Sequence, residues 1–105
     1  MHNADMAALR AEYTTLINHR LPAAFTYPVR HNHCFARIIL DCTFNDCWYK
    51  HLHQKTPAYL QLSKAQLTHA VQRMHAWLQQ PQLLVQDNEA SLRHRRRHRK
   101  QKPDL

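Results

Sequence analysis

The 105-residue chain, with 44% hydrophobic residues, is long enough to form one small domain with an apolar core. It contains no glycine, which excludes glycine-rich nucleotide-binding loops and disfavours the Asn-Gly and Asp-Gly turns of β-hairpins. Its net charge of +8 favours anionic partners. We therefore predict an all-α fold, a small bundle of three main helices plus one or two short helices, with a disordered basic C-terminal tail.

The positive charge is concentrated at the C-terminal end. Seven of the 15 lysines and arginines lie in residues 93–102, whereas residues 1–92 hold the other eight together with six of the seven acids. This division predicts a single helical domain over residues 1–92 and a basic flexible tail over residues 93–105. No segment resembles a signal peptide or a membrane span, and the three cysteines suit a reduced compartment, so we expect a cytoplasmic protein without membrane contact.

The first predicted helix begins near Asn3, a plausible N-cap, and carries an apolar stripe at helical spacing. Proline restricts the residue before it to extended conformations, so this helix should end near residues 19–21, just before Pro22.

The second predicted helix runs from Asn32 to about Leu52 and is apolar almost all round, as expected of a central, buried helix. Four polar residues interrupt this surface at intervals of four residues and form a single stripe. They are His33, Arg37, Asp41 and Asn45.

The third long helix has the clearest start signal in the sequence. Ser63 and Gln66 fit a capping box, and a short helix is expected just before them over residues 56–60. We expect Pro81 to end this third helix and order to fade after Leu92.

The polar stripe of the second helix admits two interpretations. Arg37 and Asp41 stand one turn apart among apolar neighbours, where ionised groups are costly unless paired, so they are expected to form a buried ion pair or to lie at the solvent edge of the helix. Alternatively they line a ligand or enzymatic pocket, with His33 as a proton-transfer group, Arg37 as an anion clamp and Tyr59 in the wall.

The cysteines offer weaker candidates for chemistry. Cys34 follows the predicted N-cap and lies beside His33, which is the setting of a reactive thiolate. Cys47 and His51 are four residues apart and would face one metal ion if both lay on the second helix. We nevertheless expect no bound metal and no cofactor, and we favour a binding protein over an enzyme.

The basic tail carries the strongest physical signal. Dense arginine binds nucleic acid of any sequence by neutralising phosphates, and guanidinium groups also stack on bases, which favours RNA over DNA. The predicted contact residues are Arg93, Arg95, Arg96, Arg97, Arg99, Lys100 and Lys102.

The central segment resembles a group of small bacterial proteins that have no established activity. The shared pattern reads P-V-x-x-N-H-C-F-x-R-I-x-x-D, from Pro28 to Asp41, and the resemblance extends over roughly residues 21–78. It draws attention to Asn32, His33, Arg37 and Asp41 but implies no mechanism.

Three functional hypotheses follow. The leading one is a small helical protein that binds RNA through residues 93–102 with weak sequence preference. The second is a small-ligand or enzymatic pocket at the polar stripe. The third is a protein-interaction subunit or homo-oligomer in which a partner covers helix 32–52.

Overall fold

The computed structural model describes the backbone of residues 2–101 and the side chains of residues 5–100. Four long helices, α1 (His2–Thr15), α3 (Asn32–Phe44), α4 (Lys64–Gln79) and α5 (Pro81–Gln101), form a bundle with the short α2 (Leu21–Ala24). Two 3₁₀ turns, Trp48–Lys50 and Ala58–Gln61, lie between α3 and α4. Residues 2–101 contain no strand, so the predicted all-α fold is confirmed.

The first helix passes through Pro22 instead of ending before it. A π-helical turn, Leu16–Arg20, joins α1 to α2, and the N–H of Leu21 donates to the carbonyl of Leu16. A π turn accommodates proline because it widens the helix at the point where the α-helical hydrogen bonding would otherwise be broken.

Helix α3 ends at Phe44, eight residues before the predicted end at Leu52. Asn45 adopts the left-handed conformation at φ 52°, and its N–H donates to the Cys42 carbonyl over 3.3 Å. The N–H of Asp46 donates to the Asp41 carbonyl over 3.2 Å. This pair of bonds is a Schellman motif, and asparagine serves here in the position that glycine usually occupies.

The capping box at the start of α4 is confirmed. Ser63 Oγ accepts from the Gln66 N–H over 3.1 Å, and Gln66 Oε1 accepts from the Ser63 N–H over 2.8 Å. Pro81 follows the end of α4, as predicted, but it also opens α5. Proline suits a first helical turn because its missing N–H has no intrahelical acceptor there.

Helix α3 lies at the centre of the bundle. It packs against the π turn, α4 and α5, while α1 and α5 also pack against α4. Its inner residues are fully or almost fully buried together with residues of every other long helix. The most buried include Leu16, Phe35, Ile38, Ile39, Leu67, Met74, Trp77 and Leu84. The apolar surface of α3 is therefore covered within the chain.

Candidate nucleic-acid interface

Residues 93–101, which belong to the segment predicted as a basic tail, continue α5 as a helix. No proline or glycine interrupts residues 82–101, and arginine and lysine are good helix formers. Cations in the last turn also interact favourably with the helix dipole. Residues 102–105, including the predicted contact residue Lys102, lie outside the described residues.

Asp41 attaches α5 to α3. Its carboxylate is completely buried and accepts from Arg95 Nε over 3.0 Å and from Arg95 Nη2 over 3.1 Å. Ser91 Oγ donates to the same carboxylate over 2.6 Å, and the N–H of Trp48 donates over 3.0 Å. Four donors from two segments thus satisfy one buried charge, which is the condition under which such a charge is tolerated.

The predicted direct pair of Arg37 and Asp41 is wrong. Arg37 donates through Nη1 to Ser91 Oγ over 2.7 Å and through Nη2 to Asn88 Oδ1 over 2.8 Å, whereas the ion pair of Asp41 is with Arg95. Ser91 bridges the two predicted partners, since its hydroxyl accepts from Arg37 and donates to Asp41. The partners Asn88, Ser91 and Arg95 all lie on α5, which continues past Leu92, the point after which order was predicted to fade.

The electrostatic environment differs between the two arginines. Burial and the charge of Arg95 lower the pKa of Arg37. Burial also opposes the charged form of Arg95, but its hydrogen bonds and attraction to Asp41 outweigh this and raise its pKa. The Arg95 guanidinium lies 4.9 Å from the Tyr49 ring centroid as well, so a cation–π contact adds to its docking.

The outward surface of α5 carries the other cations, and we call Arg93, Arg96, Arg97, Arg99 and Lys100 the outer face. All five are exposed. At about 100° per residue, four of them fall within one third of the helix circumference, and Arg99 flanks them. The Arg95 side chain points toward Asp41 of α3. It therefore does not belong to this surface, although it was among the contact residues predicted from the sequence.

The predicted pocket residues are not brought together. Tyr59 stacks on Tyr13 with ring centroids 5.7 Å apart, in contact with α1. His33 is exposed and stacks on His31 at 5.5 Å, while Arg37 and Asp41 face α5. These four side chains therefore lie in three separate parts of the structure.

The cysteines and the predicted metal pair are also dispersed. Cys34 is half-buried, and burial raises the pKa of Cys42 to about 11, which opposes thiolate formation. Cys47 is buried and donates to the His94 carbonyl over 3.5 Å. His51 contacts Asp46 over 3.1 Å. Because α3 ends at Phe44, Cys47 and His51 do not share a helix, and residues 5–100 contain no group of three or more ligating side chains placed for a metal ion.

A second polar cluster was missed in the sequence. Asp87 accepts from Arg73 Nε over 2.7 Å, from Arg73 Nη2 over 2.9 Å and from Trp77 Nε1 over 2.8 Å. It lies on the same side of α5 as Ser91 and Arg95, at intervals of four residues. This i, i+4 series of polar residues continues past Leu92, the point after which order was predicted to fade, and it was the available signal for an inward-facing stripe.

None of the described helices is long and apolar enough to cross a membrane. No protein-family model matches this chain, and it matches neither a curated protein nor a solved structure. The resemblance of residues 21–78 to a group of small bacterial proteins therefore stays a prediction.

Proposed function

We propose that this protein binds nucleic acid, RNA in preference to DNA, by placing the outer face of α5 against the phosphate backbone. The observation that carries the proposal is that structural contacts and exposed cations lie on opposite sides of α5. The inner side fixes α5 to the domain through Asp41 and Asp87, whereas the outer face presents five exposed cations.

The side chains of the outer face are free to bind. Within residues 5–100, Arg93, Arg96, Arg99 and Lys100 form no side-chain hydrogen bond or ion pair with the rest of the chain, and Arg97 contacts only His94, through one bond of 3.4 Å. Guanidinium groups bind phosphate with two parallel hydrogen bonds and stack on bases. Such contacts carry affinity without reading the sequence, so we expect weak sequence preference.

The competing hypotheses receive less support. The pocket hypothesis requires His33, Arg37, Asp41 and Tyr59 to converge, and they do not. The interaction hypothesis rested on an uncovered helix 32–52, but α3 is covered by the π turn, α4 and α5. All three cysteines are free thiols, which suits the cytoplasmic location that we propose.

The test is a salt titration of binding to a short single-stranded RNA, followed by fluorescence anisotropy. Each lost phosphate contact lowers the slope of log K against log salt by about 0.7 for a single strand. The variant Arg93→Gln/Arg96→Gln/Arg99→Gln/Lys100→Gln should therefore bind weakly and lose most of the slope.

The control is Arg20→Gln/Arg30→Gln, which removes two exposed arginines that lie outside α5. Its affinity and slope should equal those of the parent. Single-stranded and duplex DNA of the same sequence measure the preference for RNA. An outer-face variant that binds RNA as tightly as the parent, or a parent that does not bind at low salt, contradicts the proposal.

A further inference from the structure

A polar cleft opens beside the outer face, where the loop after α3 meets the last turns of α5. Its volume is about 270 Å³. The loop and the helix each contribute three residues to its lining, which consists of Asn45, Asp46, Lys50, His94, Arg97 and His98. Arg97 belongs to both the cleft and the outer face, whereas Lys50 comes from a different segment of the chain and lies only in the cleft.

The helical side of the cleft is held in place by its neighbours. The carbonyl of His94 accepts from the Cys47 thiol over 3.5 Å, and Arg97 Nη2 donates to His94 Nδ1 over 3.4 Å. The edge of the His98 ring packs on the Tyr49 ring at a centroid distance of 5.4 Å. Groups fixed before a ligand arrives lose less conformational entropy on binding.

The one carboxylate in the cleft is already occupied. Asp46 accepts from the Cys47 N–H over 2.8 Å and contacts His51 over 3.1 Å and Lys50 over 3.6 Å. Burial opposes its ionisation, but these three partners together lower its pKa. Lys50 and Arg97 therefore outnumber the one carboxylate and give the cleft a net positive charge, and the two imidazoles add ring nitrogens that can form hydrogen bonds.

We propose that this cleft binds a terminal phosphate, a phosphomonoester at the end of a nucleic-acid strand. A phosphomonoester carries about −1.5 to −2 charges at neutral pH and three strong acceptor oxygens, whereas each internal backbone phosphate carries one charge. The more enclosed cleft, with donors from two segments, suits a chain end, and the more open outer face, whose cations all come from one helix, suits internal phosphates. This inference rests on the proposed function, since the strand whose end enters the cleft is the strand bound by the outer face.

The experiment compares two short RNAs of one sequence, one with a terminal phosphate and one with a terminal hydroxyl, and both strand ends are tried. At moderate salt, the phosphorylated RNA should bind about tenfold more tightly at one of the ends, as expected for one well-made charge-assisted contact. Lys50→Gln should remove this preference. Lys100→Gln, the matched control on the outer face, should weaken both RNAs equally and leave the ratio unchanged.

Inorganic phosphate provides a probe that does not depend on RNA. In the parent it should shift the NMR signals of the His94 and His98 rings, and Lys50→Gln should reduce those shifts. Equal affinity for the two RNAs overturns the terminal-phosphate inference and leaves the outer-face proposal standing. Phosphate-induced shifts without measurable binding of the hydroxyl RNA would instead overturn the outer-face proposal and support an anion site in the cleft.

Discussion

Arg95 and Arg96 are adjacent in the sequence and have opposite surroundings. The Arg95 side chain is 25% exposed and binds a buried carboxylate with two hydrogen bonds, while Arg96 is exposed on the outer face. A rotation of about 100° between successive helical residues separates a side chain with a structural role from one with a proposed ligand-binding role. A count of basic residues cannot make this distinction, but their position around the helix can.

The comparison also explains why the end of α5 is helical. Arg93 and Arg97, like Arg96 and Lys100, are like-charged pairs four residues apart, which destabilise an isolated helix by a few tenths of a kcal/mol each. The contacts of Ser91 and Arg95 with Asp41 offset that repulsion. The contacts on the inner side of α5 therefore hold the outer face in a helical conformation.

The largest expected effect follows from removing the end of α5. A chain that ends at Leu92 retains Asp41 but lacks Arg95, so a fully buried carboxylate loses its ion-pair partner. We expect a loss of about 3–5 kcal/mol in the free energy of unfolding, the usual cost of breaking a buried pair from one side. Urea denaturation followed by circular dichroism measures it.

The control for that truncation is a chain ending at Gln101, which keeps α5 intact and should unfold at the same urea concentration as the parent. If the chain ending at Leu92 also matched the parent, residues 93–101 would not be anchored to the domain. The predicted flexible tail would then describe the protein better.

A smaller loss of stability is expected when each of the two neighbouring arginines, Arg95 and Arg96, is replaced by glutamine. Arg95→Gln should lower the free energy of unfolding by about 2–3 kcal/mol, less than the full cost of a buried pair because the Arg95 side chain is partly exposed. Arg96→Gln should change stability by less than about 0.5 kcal/mol. Thermal melts and RNA titrations of both variants at one salt concentration make the comparison direct.

Arg96→Gln should weaken RNA binding without altering the melt, whereas Arg95→Gln should alter the melt. Equal melting temperatures for the two variants would mean that the inner and outer faces of α5 do not differ.

The sequence predicted the parts of the fold that depend on local chemistry. Helical periodicity and the Ser63–Gln66 capping box were read correctly, because these signals lie within a few residues of each other. The end of α3 was missed because Asn45 replaces the glycine that normally marks a left-handed cap. The π turn before Pro22 was missed because proline usually ends a helix.

The candidate site was harder to predict because its contacts are distant in the sequence. Arg37 and Asp41 were identified as residues that need partners, but those partners, Asn88, Ser91 and Arg95, lie about 50 residues away. Charge density identified the residues of the proposed interface, yet it included Arg95, whose hydrogen bonds are with a carboxylate on another helix. Tertiary pairing of this kind cannot be deduced from local patterns in a single sequence.

A smaller loss of stability than that of Arg95→Gln is expected at Ser91, which is 1% exposed and links Arg37 to Asp41 through one hydroxyl. Ser91→Ala removes a donor to Asp41 and an acceptor for Arg37, but both groups keep other partners in Arg95, Trp48 and Asn88. The expected cost is therefore about 1–2 kcal/mol.

A double-mutant cycle with Arg37→Met separates the bridge from general packing, because the Arg37–Ser91 hydrogen bond is lost in either single variant and cannot be lost twice. The double variant should consequently be more stable than the sum of the single effects predicts, by on the order of 1 kcal/mol. Strict additivity in urea denaturation would show that the hydroxyl carries no coupling between α3 and α5, and that Arg95 alone joins the basic helix to the buried carboxylate.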